Sequence, residues 1–240
     1  MTTVSQAIEF RRSVRKYDPN NPIDGELVKS CLKKARLAPN SSNLQLYEFY
    51  HITSENKLRE ISKACFDQPA AKTAQQLVVF VTRKDLWHKR SKANLEFLKS
   101  QFNKSKEASS KTEKFALKYY TSVMPLTYFV FLGLLGWLKF IVFWIVGWIR
   151  PVYRQNRNSD MRAVVHKSAA LAAQTFMLSM AEIGYDTCPM EGHDSLRIKR
   201  ILKLPISAEI NMVVSCGIRL QEGVYGKRFR IPFEQVYYRI

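Results

Sequence analysis

The chain has 240 residues, of which 46% are hydrophobic and 24% are charged, so it can form a globular domain with a sizeable core. Its charge balance is less ordinary, because 38 Lys and Arg residues outnumber 20 Asp and Glu residues and leave a formal net charge of +18. An excess of this size points to an anionic partner, such as nucleic acid, acidic lipid or a phosphorylated ligand.

Cysteine usage and the N-terminal residues indicate the compartment. The four cysteines, Cys31, Cys65, Cys188 and Cys216, form no C-x-x-C pair, which excludes the usual zinc spacings and argues against a disulfide framework. Residues 1–16 contain no apolar core of a signal peptide. We therefore expect a cytoplasmic protein with reduced thiols and without a metal site.

In the first part of the chain, helical segments alternate with polar ones. Residues 3–10 have the pattern of a short helix and lead into a basic segment. Residues 24–37 are predicted to form a second helix, because Asp24 can cap it and Pro39 ends it. A polar loop, "APNSSNLQ" at 38–45, follows.

The middle of the chain contains two predicted strands. The aromatic segment 46–52 and the β-branched run 76–82 favour strands, and residues 54–65 between them have apolar side chains at helical spacing. Residues 83–122 are rich in lysine and helical in pattern. The run 126–149 is almost wholly apolar.

The last part of the chain completes the predicted core. Residues 158–185 form one long helix with small residues on nearly all sides, which predicts burial at a close-packed interface. Residues 208–220 are a third strand, and the tail 226–240 alternates apolar and polar residues. The order of elements predicts an α+β or α/β domain with a central sheet flanked by helices.

Four short segments carry residue types suited to a ligand. "RRSVRKYDP" (11–19) and "GKRFRIP" (226–232) are arginine clusters, and the planar fork of arginine matches phosphate oxygens. The loop 38–45 offers hydroxyl and amide groups, and "GYDTCPMEGHD" (184–194) offers a turn in which Gly192 permits close approach of a planar ligand. Taken singly, each segment is more often a solvated surface turn.

In this order and at these distances, the four segments resemble the nitroreductase family of FMN-dependent oxidoreductases, over almost the whole chain except about 100–157. The resemblance implies an α+β fold with a central, mainly antiparallel sheet flanked by helices, in an intertwined homodimer. It implies a single domain over 1–240 with a family-variable insertion at about 100–157. It also implies FMN at the subunit interface and NAD(P)H as the reductant.

The resemblance assigns cofactor contacts residue by residue. The phosphate and ribityl chain would contact Arg11, Arg12, Ser13 and Arg15, together with Arg228 and Arg230. The loop that reaches the flavin from the partner subunit would be Pro39, Asn40, Ser41, Ser42 and Asn43. The turn over the isoalloxazine ring would be Pro189, Met190, Glu191 and Gly192, with the backbone amide of Glu191 near flavin N5.

The sequence departs from the family pattern in the ring contacts. Leu46 stands where proline is frequent, and Asp67 and Ala70 stand where the family has Asn and Lys. Gln68 would take over the contact to the edge of the flavin. Because hydride transfer is the chemistry of the cofactor, no catalytic side chain is expected, and Cys188 would be a small apolar neighbour of the ring.

The apolar run 126–149 is long enough to cross a bilayer. A single crossing is incompatible with the family fold, because residues 11–15 and 228–230 would have to share one phosphate. Two interpretations stay open. The run lies on an anionic membrane surface at the inner face of the membrane, or it covers the active site and shapes a hydrophobic substrate pocket.

We therefore expect an enzyme that transfers reducing equivalents from NAD(P)H through bound FMN to a nitroaromatic, a quinone or a similar small electron acceptor. The alternative is a basic protein without redox activity that binds a membrane or nucleic acid. The lysines of 83–118 favour that alternative, but the sequence has no recognisable nucleic-acid-binding module, so we expect no nucleic-acid partner.

Overall fold

The computed structural model describes residues 3–102, 111–128, 134–155 and 157–240. The helices are α1 (Val4–Phe10), α2 (Gly25–Ala35), α3 (Glu55–Ala64), α4 (Pro69–Lys72), α5 (Trp87–Phe102), α6 (Lys111–Lys118), α7 (Met124–Tyr128), α8 (Leu134–Val146), α9 (Asn158–Glu182) and α10 (Ser195–Ile201). The strands are β1 (Tyr47–Ile52), β2 (Gln76–Thr82), β3 (Asp186–Met190) and β4 (Glu209–Gly217). Helices and strands follow the order predicted for an α+β fold.

The strands form one antiparallel sheet in the order β1-β2-β4-β3. β2 lies inside the sheet and all of its residues are buried, as its β-branched run predicts. The prediction of a turn at 184–194 is wrong for its central part, which is the strand β3. This strand is short and contains Pro189, a residue that sheets accept mainly at an edge, so its sequence lacks a strand signal.

An apolar core lies on each face of the sheet. Successive side chains of a strand point to opposite faces, so Val78 and Phe80 of β2 pack with α2 and α9. Leu77, Val79 and Val81 pack with α3, α4 and α10 on the other face. The sheet is therefore flanked by helices on both faces, and burying each of these side chains contributes about 1.5–3 kcal/mol.

α9 is the long helix that the sequence predicts. Ala169, Ala172 and Ala173 are fully buried, because their small side chains let the helix approach α2 and the sheet closely. The helix is followed by Gly184, whose φ of +79° is the left-handed conformation that commonly ends a helix.

The predicted insertion is helical over most of its described residues, whereas 147–155 form turns and irregular structure. Residues 103–110, 129–133 and 156 lie outside the described residues, and the run 126–149 is divided between α7 and α8. Leu44 of the polar loop and Leu46, which follows the loop, pack with Met124 and Tyr128 of α7 in a third apolar cluster. Among the helices that the structure describes, none has the length and apolar character needed to cross a bilayer.

The basic segment after α1 is attached to two distant parts of the chain. The backbone N–H of Val14 donates to the carbonyl oxygen of Thr187 in β3 at 3.2 Å. The backbone N–H of Arg15 donates to the carbonyl oxygen of Gly223, beyond β4, at 2.7 Å. These bonds fix the first arginine cluster relative to the sheet.

Two glycines permit this close approach. A Cβ on Gly217 would lie 2.6 Å from the ring of Tyr17, and a Cβ on Gly223 would overlap the carbonyl oxygen of Lys16. Tyr17 is buried and its hydroxyl lies 2.8 Å from Oγ of Ser215, so the ring has little room to move. Both positions therefore need glycine for steric reasons.

Gly217→Ala should lower the free energy of unfolding by about 1–3 kcal/mol, because the added methyl group overpacks a filled site. Gly25→Ala is the matched control: a Cβ there lies 3.7 Å from its nearest neighbour, and alanine is favoured over glycine in a helix by about 0.5–1 kcal/mol. Urea denaturation of both variants measures the difference. Equal stability of the two variants would contradict the steric argument.

Candidate functional site

The two predicted arginine clusters meet in the structure. The guanidinium group of Arg228 donates to the carbonyl oxygens of Glu9 and Arg11, at 2.8 and 2.7 Å. Arg12 donates to the carbonyl oxygen of Gly226 at 2.9 Å. These contacts join residues that are 214 to 219 positions apart in the sequence, as a shared phosphate site requires.

A basic cavity of about 210 Å³ lies between the clusters. Its lining consists of Arg11, Arg12, Ser13, Arg15, Tyr225, Lys227, Arg228, Phe229 and Arg230. All six residues predicted to contact the phosphate are in this set. The sequence analysis missed two lining residues. The ring centre of Tyr225 lies 5.2 Å from the guanidinium carbon of Arg15, and Lys227 belongs to the predicted cluster 226–232 but was not assigned a contact.

The basic cavity gathers positive charge without neutralising it. Within the described part of the chain, none of its six basic side chains forms an ion pair with a carboxylate. Burial lowers the pKa of Arg11, and the guanidinium groups of Arg228 and Arg230 lower it further. The cluster is therefore electrostatically unfavourable until an anion enters it.

A buried carboxylate close in the fold, that of Asp186, pairs with Arg219 instead. The Nε of Arg219 donates to Oδ1 of this carboxylate at 2.8 Å, and a second guanidinium nitrogen donates to the same oxygen. The backbone N–H of Arg219 donates to Oδ2 at 2.8 Å, so both carboxylate oxygens are engaged. The same guanidinium donates to the carbonyl oxygen of Phe10 at 3.0 Å and lies 4.2 Å from the centre of its ring. The pair, which the sequence analysis missed, therefore fixes the end of α1 immediately before Arg11.

The segment predicted to lie over the flavin ring is the end of β3 and the loop after it. The side chain of Met190 is buried in the core, whereas Glu191 and Gly192 are exposed. A planar ligand would therefore contact the backbone here and not the Met190 side chain. Gln68 lies at the same place, because its Nε2 donates to the carbonyl oxygen of Gly192 at 2.6 Å.

Cys188 is buried in β3, close to the basic cavity. Burial raises the pKa of its thiol, while Arg15, Arg11 and a hydrogen bond with Ser13 act in the opposite direction. The net shift is upward, so the thiol stays protonated and weakly reactive at neutral pH. A structural role, as expected from the sequence, is consistent with this environment.

The polar loop 39–43 lies elsewhere in the protomer. The backbone N–H of Ser41 donates to Oγ of Ser168 in α9 at 3.3 Å, and Oγ of Ser42 lies 2.7 Å from the hydroxyl of Tyr119 in the insertion. No hydrogen bond within the described residues joins this loop to the basic cavity. The candidate site is therefore divided into two parts in a single protomer.

Backbone strain is concentrated in the predicted loop 38–45 and in the turn before Gln68. Among the described residues, six that are not glycine have a φ between +47° and +60°, and five of them are Ser42, Asn43, Gln45, Phe66 and Asp67. Such left-handed conformations cost energy and persist mainly at functional sites. The strain therefore marks the loop 38–45 and the turn immediately before Gln68.

Comparison with known proteins identifies the family. The model of the nitroreductase family matches residues 8–218, which is most of the chain. The chain belongs to the nitroreductase family. The matched span contains the first arginine cluster, the loop 39–43 and the segment around Gly192, whereas Arg228 and Arg230 lie beyond it.

Relatives of this nitroreductase-family chain span nearly its whole length. SERP2086 of Staphylococcus epidermidis, whose name contains the words NAD(P)H nitroreductase, is 26% identical over 245 residues, 94% of this chain and 91% of the relative. The fold is similar to that of ydfN from Bacillus subtilis, with a TM-score of 0.75 at 20% identity over 98% of each chain. It is also similar to an Exiguobacterium sibiricum protein solved in complex with FMN, with a TM-score of 0.67 at 20% identity over 100% of this chain and 98% of that one. These likenesses confirm the predicted fold.

Arg219→Gln should destabilise the protein more than Asp186→Asn. The first change leaves the carboxylate of Asp186, which is 3% exposed, without its cationic partner, although the backbone N–H of residue 219 still donates to it. The second change leaves a guanidinium group that is 29% exposed. We expect Arg219→Gln to lower the free energy of unfolding by about 3–5 kcal/mol and Asp186→Asn by less. Arg197→Gln, which removes an exposed pair with Asp194, is the control and should change it by less than about 1 kcal/mol. Equal losses in the first two variants, measured by chemical denaturation, would contradict the asymmetry.

Proposed function

We propose that the protein is an FMN-dependent oxidoreductase that takes reducing equivalents from NAD(P)H and passes them to an electron-poor small molecule, such as a nitroaromatic or a quinone. The observation that carries the proposal is the basic cavity, in which six cationic side chains face one another without a carboxylate. A phosphate monoester dianion matches this donor set. The name of the staphylococcal relative and the FMN complex of the Exiguobacterium protein support the same assignment.

The described residues fit such a cofactor. The phosphate would be held by Arg11, Arg12, Ser13, Arg15, Lys227, Arg228 and Arg230. The exposed backbone of Glu191 and Gly192 would face the ring, with Gln68 fixing the position of Gly192. Bound flavin supplies the hydride chemistry, and the chain binds it, orients it and selects the acceptor.

A homodimer would bring the two parts of the site together, since the loop 39–43 of one protomer could reach the basic cavity of the other. The chain has apolar surface suited to such pairing. In the tail, Phe229, Phe233 and Tyr238 are 77%, 64% and 75% exposed, and Val4 of α1 is 71% exposed. Apolar side chains so exposed and so close in sequence to the site fit burial against a second copy.

The two alternatives predicted from the sequence find no support in the comparisons. Attachment to an anionic membrane at the cytoplasmic face, through 126–149, stays a prediction; it rests on the exposed Trp137, Trp144 and Trp148. A nucleic-acid-binding function is less economical, because a phosphorylated small molecule already accounts for the clustered arginines. A cytoplasmic flavoenzyme is therefore the function that we propose.

Arg11→Gln separates recognition of the flavin phosphate from recognition of the ring. The change removes one charge from a repulsive cluster, so the Tm of the cofactor-free variant should equal or exceed that of the wild type. Its affinity for FMN should fall by about 10- to 100-fold, the usual value of a charged hydrogen bond, whereas its affinity for riboflavin should not change. Arg200→Gln removes an exposed charge on α10 and is the matched control.

Fluorescence titration with the two flavins measures these affinities, and acceptor-dependent oxidation of NAD(P)H measures activity. A wild-type protein that shows no flavin absorbance near ~450 nm and binds no added FMN would refute the proposed function. Equal losses of FMN and riboflavin affinity in Arg11→Gln would show that the basic cavity does not bind the phosphate.

A further inference from the structure

A second, apolar cavity of about 380 Å³ lies beneath the insertion. It is enclosed by the loop 39–43, the turn Tyr119–Val123, α7, α8 and α9. The residues on which the argument depends are Ser41, Ser42, Val123, Phe143 and Val164. This volume is within the range of about 300–1,000 Å³ that is usual for small-molecule sites.

Among the described residues that line the apolar cavity, none has a charged side chain. Among its polar groups, the hydroxyls of Ser42 and Tyr119 already bond to each other at 2.7 Å. Burial raises the pKa of Tyr128, another lining residue, to about 12, as expected for a phenol in apolar surroundings. The cavity is therefore suited to hydrocarbon and unsuited to a charged group.

One end of the apolar cavity is part of the proposed flavin site. Ser41 and Ser42 line it, and both belong to the loop that would reach the flavin of the partner. A ring compound positioned at this loop would therefore have its substituent directed into the insertion. The cavity and the loop form one continuous surface.

Among the α8 residues whose side chains the structure describes, Phe143 lines the apolar cavity and the opposite face does not. Phe143 lines the cavity and is half-buried, whereas Ile141 and Ile145 are 49% and 53% exposed. The two faces can be mutated separately. A role for the cavity is therefore distinguishable from a role for the outer surface of the insertion.

We propose that the apolar cavity binds the hydrocarbon chain of a lipophilic electron acceptor whose electron-poor ring lies at Ser41 and Ser42. The inference rests on the proposed function and narrows its acceptors to ring compounds that carry an alkyl or isoprenoid chain. Burial of methylene groups in an uncharged cavity supplies the affinity, and the ring stays at the loop where reduction occurs.

The tail of the chain is a poorer occupant of this cavity. Its apolar residues alternate with charged ones, among them Glu234 and Arg239, so insertion of the tail would bury charge against an uncharged lining. A hydrocarbon chain has no such cost. The same argument excludes NAD(P)H as an occupant of the apolar cavity, because its phosphates are charged.

Two quinones with the same ring test the proposal: 2,3-dimethoxy-5-methyl-1,4-benzoquinone and its 6-decyl derivative. For the wild-type holoenzyme, kcat/KM should be at least about ten-fold higher for the decyl compound, since its chain is buried in the cavity. Val164→Phe and Val123→Phe fill the cavity from different elements, and each should bring the ratio of the two kcat/KM values close to one. Ile141→Phe adds the same bulk on the exposed face of α8 and should leave the ratio unchanged.

A binding measurement complements the kinetics. 2-Decyl-1,4-dimethoxybenzene cannot accept electrons, and calorimetric titration should detect its binding to the wild type and to Ile141→Phe but not to the cavity-filling variants. If Val164→Phe does not fold, as judged by its FMN content, Val123→Phe provides the same test.

Four results would overturn the inference while leaving the proposed function intact. The first is equal kcat/KM values for both quinones in the wild type, and the second is a preference for the decyl compound that survives both cavity-filling variants. The third is a preference that is lost only in Ile141→Phe, which would place the hydrocarbon chain on the outer face of α8. A wild-type protein that binds FMN and reduces other acceptors but neither quinone would also overturn it. Failure to bind FMN at all would refute the proposed function itself.

Discussion

Repulsion between like charges is the constraint on which the candidate site depends. Six basic side chains surround one cavity, and burial together with the neighbouring guanidinium groups lowers the pKa of Arg11. Such a cluster would separate unless other interactions held its backbone in place. The Asp186–Arg219 pair fixes the end of α1, and the contacts at Gly217 and Gly223 fix the segment that follows. The rest of the fold thus stabilises an arrangement that is unfavourable in the absence of an anion.

Asp186, a buried acid near the basic cavity, does not neutralise the arginines that line it. The carboxylate of Asp186 is engaged by both the backbone and the side chain of Arg219, so the cavity keeps its positive potential. The apolar side chains buried in the two cores around β2 offset the unfavourable free energy of this unneutralised charge. Binding sites are commonly built in this way, with a charged or strained arrangement held by rigid elements, and the left-handed residues near Gln68 follow the same rule.

The sequence predicted the features that have a local signal. The periodicity of α2, the β-branched run of β2 and the terminating Gly184 of α9 are properties of short segments, and each was correctly assigned. β3 was missed because proline argues against a strand except at the edge of a sheet. The edge position of β3 depends on which strands pair, and the local sequence does not show this. The Asp186–Arg219 pair was missed for the same reason, since its members lie in different elements and neither belongs to a motif. The arginine clusters were paired correctly only through resemblance to a family, because sequence spacing alone does not show that positions 11 and 228 meet.

The contrast between the basic cavity and the apolar cavity gives the apolar insertion a physical explanation. A helix as apolar as α8 would be expected to be buried on all sides, yet among its described side chains it is Phe143 that lines a cavity, and Trp144 and the nearby Trp148 are exposed. The insertion therefore creates an uncharged compartment beside the loop 39–43, in a protein whose other cavity at the proposed site is strongly basic. A flavoenzyme with these two compartments would separate its ligands by polarity, since arginine would hold the phosphorylated cofactor and the apolar cavity would select the acceptor by the hydrocarbon that it carries. This arrangement would give the apolar run a role and would assign six of the 38 Lys and Arg residues to cofactor binding.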